Sequence, residues 1–482
     1  MNTGAPWPDL YEAERRVLKI QAKLHQWATD SPDRRFDDLY NLVADPAFLV
    51  VAWDRIRGNR GARSAGVDGV KPNSIVLGRE WFLTELRDDL KARQFRPLPV
   101  RQRMIPKANG KLRSLGIPTA RDRTVQAALK LILEPIFEAD FEPCSYGFRP
   151  RRRTQDAIAE IHYLGSRSYE WVLEGDITAC FDEIDHTALM GRVRDRIGDK
   201  RVLALVKAFL RAGVLSEDGV TRSTKTGTPQ GGILSPLLAN VALSVLDDHF
   251  AEAWSTTLGT QADRTRRRRH GEALYRLVRY ADDFVVMVSG TKAQAEELKS
   301  EAAAVLLPMG LRLSEEKTRV RHIDEGFDFL GFRIQRRSWR GRAGKRAVYT
   351  YPSKKALASI MGKVRTLTAR SRHRALGDLL RQLNPALAGW CQYFRFGVSS
   401  ATFGYLDKFV WRRITGWLRK RHKGITWKAL YRRFLTGPPR GLPAESGKTM
   451  FRAAQVETVR YRWRGTNIPA PWPGGAEATA AA

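Results

Sequence analysis

The chain has 482 residues, enough for roughly two to four domains, and its 43% apolar content is ordinary for a globular protein. Lys and Arg number 83 against 51 Asp and Glu, a net +32, and so much positive charge repels itself unless a polyanion or salt is present. No apolar run approaches a membrane span and no basic amphipathic anchor stands out, while the three scattered cysteines (Cys144, Cys180, Cys391) argue against a disulfide framework or a Cys-rich zinc site; nucleic acid is the favoured partner.

The N-terminus, MNTGAPWPDLYEAERR, has no basic region followed by an apolar stretch, so it does not read as a secretion signal, and a reducing cytoplasm fits. Residues 9–60 read as helices ending in a Gly-rich loop, and SAGVDGV is a further turn. VRQRMIP and KLRSLGIP alternate apolar and basic residues around KANG, which predicts a basic β-hairpin. Thr119 is placed to cap a helix on which Val125, Leu129, Ile132, Leu133 and Ile136 share one face, with Pro135 expected to disturb its end. WVLEGDITACFDEIDH reads as a strand with Asp176 at its C-terminal end, and TPQGGILSPLLANVALSVLDDHF as a Gly turn into a long apolar helix.

RTRRRRH, from Arg264, is a charge run that reads as a solvated loop or a direct nucleic-acid contact. It precedes RYADDFVVMV, from Arg279, where two adjacent acids interrupt an apolar, β-branched stretch and predict strand, tight turn and strand. Strands of this kind lie near a core, where an unpaired carboxylate is costly, so Asp282 and Asp283 are either a solvated hairpin tip or a functional pair. Beyond FDFLGFRI the run SWRGRAGKR reads as a basic linker or hairpin, and a domain boundary is expected near 336–350. Leu357, Met361, Val364 and Leu367 then mark one helix face, with Lys354, Lys355, Lys363 and Arg365 elsewhere on that helix. On a helix over about 405–421, Leu406, Phe409, Val410, Trp417 and Leu418 face a core and leave Lys408, Arg412, Arg419 and Lys420 for a polyanion. Many of the 13 Trp and 13 Tyr sit beside Arg or Lys, as in YFRF, VWRRI and RYRWRG, a mixture suited to holding RNA or single strands. The Pro-, Gly- and Ala-rich tail NIPAPWPGGAEATAAA reads as disordered.

Three strand-associated carboxylates, Asp176, Asp282 and Asp283, stand out. Carboxylate oxygens with positions left open for water and phosphate suit Mg²⁺, and two such ions can activate a 3′-hydroxyl and stabilise a leaving pyrophosphate. Like charges crowded at one point would then be cancelled by the metals.

The motif YADD at Tyr280–Asp283 resembles the hallmark of reverse transcriptases. IPKANGKLRSLGIP, SYGFRP, DITACFDEIDH, TPQGGILSPLLAN, YADDFVV, LRLSEEKT and FDFLGF follow in the order of the finger and palm blocks of group II intron-encoded reverse transcriptases, and LNPALAGWCQYFR resembles that family's thumb or maturase region. The resemblance implies an α+β fold: a right-hand polymerase with fingers, an antiparallel palm and an all-α thumb. It divides the chain into an N-terminal helical extension (1–85), fingers and palm (86–335), a thumb/maturase domain (336–435) and a short basic C-terminal segment (436–482).

By that resemblance Asp176, Asp282 and Asp283 hold two Mg²⁺ ions, with Mn²⁺ as a substitute and Ile177 offering a backbone carbonyl. Phe181 matches the aromatic beneath the incoming sugar, where a ring against C2′ leaves no room for a 2′-hydroxyl. Gln230 matches a residue near that sugar. Lys107 and Arg113 match finger residues that grip the triphosphate of a dNTP, and Lys317 one that protonates pyrophosphate. Arg149, in SYGFRP, joins Lys408, Arg412, Arg419 and Lys420 as a nucleic-acid contact. The implied function is RNA-directed DNA synthesis together with intron-RNA binding that assists splicing and retromobility. The partners are template and intron RNA and a DNA primer or target, with no membrane, in a bacterial cytoplasm with nucleoid association on DNA. The family often carries a C-terminal endonuclease with paired cysteines, a pattern not found after Leu435. Three other readings stay open: a maturase acting only as an RNA-binding splicing factor, an RNA polymerase or primase-like enzyme (against which Phe181 argues), and a host-adopted reverse transcriptase in defence or repair. The sequence leaves the oligomeric state open.

Overall fold

The computed structural model describes residues 7–75, 78–106, 110, 112–222, 224, 226–338, 344–369, 375–438 and 441–472. They fall into two compact units: one comprises the chain up to Arg153, Leu173–Val320 and the stretch from Gly465, the other Thr154–Val172 and Arg321–Arg464.

In the first unit the helices Leu10–Asp30 and Pro46–Arg57 pack on Ala120–Asp140. The side chains of Asp9, Asp45 and Thr119 cap the three helices by accepting hydrogen bonds from first-turn amides, contacts of about 1 kcal/mol each. Ala120–Asp140 is buried along most of its length and continues five residues past Pro135 to Asp140, so packing outweighs the lost backbone donor. The N-terminal helices share this core with Ala120–Asp140.

Val100–Pro106 and Leu112–Ile117 form the expected antiparallel hairpin, in register from Arg101↔Ile117 to Pro106↔Leu112, and Val214–Leu215 joins its edge in parallel. A second sheet has the order Leu274–Tyr280, Asp283–Ser289, Trp171–Asp176, Arg319–His322. The helix Ser235–Thr257 packs against its first strand. The arginine run is not a loop: Gln261–Arg269 is helical, opened by a capping box in which Thr260 and Asp263 bond each other's backbone amides.

The second unit contains the helix Thr154–Gly165 and a sheet of Phe327–Phe329, Phe332–Ser338 and Arg346–Pro352. The helices Lys354–Leu367, Leu376–Phe394, Ser400–Arg421 and Trp427–Phe434 follow. The boundary expected near 336–350 falls within this unit. Phe332–Ser338 and Arg346–Pro352 are paired over seven residues, from Phe332↔Pro352 to Ser338↔Arg346. Ile360, Val364 and Leu367 form the buried stripe of their helix, and Phe403, Leu406, Val410, Ile414, Trp417 and Leu418 that of Ser400–Arg421.

Candidate active site

The YADD turn is a two-residue hairpin loop. Tyr280 pairs with Asp283 across it, and Ala281 occupies the left-handed region at φ 58°. A non-glycine residue is held there only when its surroundings over-determine it, and here they do. Arg279 and Asp247 form a fully buried ion pair. The Arg279 guanidinium donates from Nε to Asp247 Oδ1 (2.7 Å), from Nη1 to Asn240 Oδ1 (3.0 Å) and to the Ala281 carbonyl (2.9 Å), and from Nη2 to Ser145 Oγ (2.7 Å). Asn240 and Asp247 lie two turns apart on one face of Ser235–Thr257. Asn240 also donates to the Gly147 carbonyl (2.8 Å), and a Cβ on Gly147 would stand 2.2 Å from the Ala281 nitrogen. The YGF backbone and one helix thus grip the turn from below. Sequence reading missed Asp247, Asn240 and Ser145. The available signal was Asn240 and Asp247, seven residues apart in the mostly apolar first part of this helix.

Asp176 ends a strand that neighbours Asp283–Ser289 in the sheet. Gly175 permits that approach, since a Cβ there would meet the Phe284 ring at 2.1 Å. The Asp176 carbonyl accepts from the Ser314 amide (2.8 Å), and Ile177 bridges Leu313. Lys317 donates from Nζ to Asp176 Oδ2 at 2.7 Å, which raises the lysine further above its ordinary value, with smaller contributions from Asp283 and Asp282. Asp283 is pushed up to about 6, by partial loss of solvation first and then by the Asp282 and Asp176 charges, with the Lys317 ammonium opposing. The three acids therefore share one electrostatic neighbourhood. Among the described residues no three metal-ligating side chains converge as a metal shell, and Lys317 supplies the cation at Asp176. The donor set, hard carboxylate oxygens that repel one another, fits divalent cations such as Mg²⁺.

The chain turns from Asp176 through Ala179, at φ 43°, into the short helix Cys180–Glu183. Phe181 lies there, buried, with its ring edge-on to the half-exposed Phe148 at 6.3 Å. Its carbonyl accepts from the Thr228 amide (2.6 Å), which ties it to the TPQGG turn. Gln230 accepts from Arg113 Nε (2.8 Å) and reaches Asp182 Oδ2 (3.4 Å), and its carbonyl accepts from the Gly116 amide (2.6 Å). Phe181, Asp182 and Gln230 line a cavity of about 130 Å³ beside the basic hairpin. Phe181, Gln230 and Arg113 are thus brought together, while Lys107 lies outside the described residues.

Arg149 is not a nucleic-acid contact. Its side chain is buried, paired with Glu138 (2.7 Å), and donates to the carbonyls of Glu142 (2.6 Å), Ser145 (2.9 Å) and Phe141 (3.1 Å). All its donors face the protein, and it braces the loop that carries Gly147. In the second unit Lys408, Arg412, Arg419 and Lys420 are exposed on Ser400–Arg421, and Arg419 lies 5.2 Å from the centre of the Trp427 ring. No helix among the described residues is long and apolar enough to cross a membrane.

Comparison with known proteins bears on both units. The family profile described as reverse transcriptase (RNA-dependent DNA polymerase) matches residues 105–334, and that of the group II intron maturase-specific domain matches 357–435. Protein YkfC of Escherichia coli (strain K12) is 38% identical over 374 residues, 72% of this chain and 97% of its own length. The group II intron-encoded protein LtrA of Lactococcus lactis subsp. cremoris is 32% identical over 383 residues, 68% of this chain and 62% of its own length. The putative COX1/OXI3 intron 2 protein of Saccharomyces cerevisiae is 26% identical over 342 residues, covering 40% of that protein. The chain thus spans nearly all of YkfC but under two thirds of the other two.

Proposed function

The chain belongs to the family of group II intron-encoded reverse transcriptases and maturases, with a reverse transcriptase domain followed by a maturase domain, and from that premise we propose how its own residues carry out RNA-directed DNA synthesis. Asp176, Asp282 and Asp283 would hold two Mg²⁺ ions, or Mn²⁺ in their place, which when bound supply activation of the primer 3′-hydroxyl and charge neutralisation at the leaving group. The 3′-oxygen attacks the α-phosphorus of a dNTP, the α–β bridging bond breaks, and pyrophosphate leaves. Lys317, a protonated ammonium already beside Asp176, is placed to give the departing pyrophosphate its proton. Arg113 grips the triphosphate, Gln230 contacts the nucleotide near its sugar, and the buried Phe181 ring excludes a 2′-hydroxyl. Lys408, Arg412, Arg419 and Lys420 hold intron RNA through phosphate contacts and so assist splicing and retromobility. The work is done in the cytoplasm, on the nucleoid when the substrate is DNA.

The observation that carries this reading is the shared electrostatics of Asp176, Asp282, Asp283 and Lys317 at adjacent strand ends of one sheet. Asp282→Asn and, separately, Asp176→Asn should abolish primer extension on an RNA template, because an amide oxygen ligates Mg²⁺ more weakly and leaves charge uncancelled. Folding and RNA affinity should be kept. Extension by either variant at the wild-type rate would remove the assignment.

A further inference from the structure

RYRWRG, Arg460–Gly465, stood out in the sequence as basic and aromatic, and the polymerase site does not use it. Arg460, Tyr461, Arg462 and Arg464 line a groove of about 940 Å³ that lies entirely within the second unit. Ile158, His162 and Tyr163 of the helix Thr154–Gly165 also line the groove, as does Phe396. The groove is lined by four arginines, Arg167, Arg460, Arg462 and Arg464, and by no carboxylate.

The RYRWRG segment is held in place by its neighbours. The Tyr461 hydroxyl donates to Asp156, its ring stands edge-on to Phe396 at 4.9 Å, and the Val459 amide donates to the Arg395 carbonyl (2.9 Å). Arg464 approaches Glu160 at 3.4 Å and lies over the Tyr163 ring at 3.6 Å, while Arg167 lies 4.4 Å from the same ring's centre. Two guanidinium groups thus flank one tyrosine. Among the described residues Arg167, Arg460 and Arg462 make no ion pair, and burial holds the pKa of His162 down. Three exposed arginines gathered on one concave surface without a protein counter-charge favour an anionic ligand there.

We propose that this groove binds a single nucleic-acid strand, with its phosphates on Arg167, Arg460 and Arg462 and a base stacked against the aromatic lining. The volume is at the upper end of small-molecule pockets, which suits a few nucleotides and not a duplex. A duplex also keeps its bases stacked inside, whereas tyrosine and phenylalanine beside arginines recur in proteins that hold single strands. The inference is independent of the polymerase reading, since none of these residues is assigned there.

The test uses the full chain and fluorescent oligo(U) and oligo(dT) probes of eight nucleotides. Arg460→Ala/Arg462→Ala should lower affinity at least about tenfold and flatten the log–log salt slope by about 1.4, at roughly 0.7 per lost phosphate contact on a single strand. Phe396→Ala, whose ring lines the groove and meets Tyr461 only edge-on, should lower affinity by a similar factor with the slope kept, because stacking releases no counterion. Thermal melts confirm that each variant folds. A 4-thiouridine probe should crosslink to peptides containing Tyr163, Phe396 or Tyr461, which reports this groove whatever else binds the probe. Tighter binding of oligo(U) assigns RNA, and equal binding assigns a sugar-blind backbone contact. Unchanged affinity and slope in the double arginine variant, or crosslinks confined to other peptides, overturns the proposal. Absence of primer extension by the unmodified chain, with these crosslinks present, would count against the polymerase reading alone.

Discussion

Asp247→Asn tests whether the buried network under the YADD turn positions the catalytic acids or only stabilises the fold. Asp247 and Arg279 are both fully buried, and the guanidinium also holds Asn240, Ser145 and the Ala281 carbonyl. Removing one charge of such a pair leaves the other uncompensated, at a cost of about 3–5 kcal/mol, and asparagine, which keeps a hydrogen-bonding oxygen, should fall near the lower end. For a unit of this size that is a fall of about 5 °C or more in melting temperature. Replacing both partners by apolar residues, Arg279→Met/Asp247→Leu, should restore much of the stability, because well-packed apolar substitutes for buried ion pairs are often neutral or stabilising. It should not restore extension, because the Ala281 carbonyl has lost its donor and the turn its anchor. The assay is single-turnover nucleotide addition at saturating primer–template and Mg²⁺, beside thermal melts. An Asp247→Asn variant within ~1 kcal/mol of wild type refutes the energetic argument. A double variant that extends primer at the full rate refutes the positioning role, whatever its stability.

Phe181→Val should raise rNTP incorporation relative to dNTP in single-nucleotide extension, and an unchanged ratio in an active variant rules out the steric role. Asp122, buried at the start of Ala120–Asp140, is raised to about 6, chiefly by desolvation. The folded chain therefore keeps a proton there that the unfolded chain releases near pH 4, so this residue's stabilising contribution is present below pH 4 and is lost as pH rises to about 6. Asp122→Asn should flatten the stability–pH profile across that window by at most about 3 kcal/mol, and a difference profile with no slope between pH 4 and 6 would refute the assignment. Neutralising Lys408, Arg412, Arg419 and Lys420 together should weaken intron-RNA binding and flatten its salt dependence while single-turnover addition at saturating substrate survives; wild-type affinity across the salt series would reduce those residues to solvated charge.

Much of the local structure around the candidate site was legible because its signals are local. Paired acids between β-branched runs, an aspartate ending a strand, and a Gly turn before an apolar helix each specify an element, and the elements formed where the pattern put them. The misreadings have one cause: charge in a sequence does not reveal burial or pairing. Arg149 looks like any basic residue until Glu138, a turn of chain away at the end of a helix, is seen to bind it. RTRRRRH looks like a solvated loop unless Thr260 and Asp263 upstream are read as a capping box. The Arg279–Asp247 pair spans 32 residues of chain, and no periodicity announces it.

The chain carries opposite electrostatics in its two tasks. Its net +32 draws in a polyanion, and exposed arginines on Gln261–Arg269, on Ser400–Arg421 and along Arg460–Arg464 offer phosphates many weak contacts. The carboxylates of Asp176, Asp282 and Asp283 do the reverse, because they repel a triphosphate. Lys317 relieves part of that repulsion but is held by Asp176. Binding should therefore be governed by monovalent salt, through counterion release, and chemistry by divalent cations, through cancellation of three like charges. A chain that must hold nucleic acid between additions would gain from this separation: the strand would stay bound by contacts that do not depend on a metal, while nucleotides enter and pyrophosphate leaves at a site whose charge bound ions would reverse.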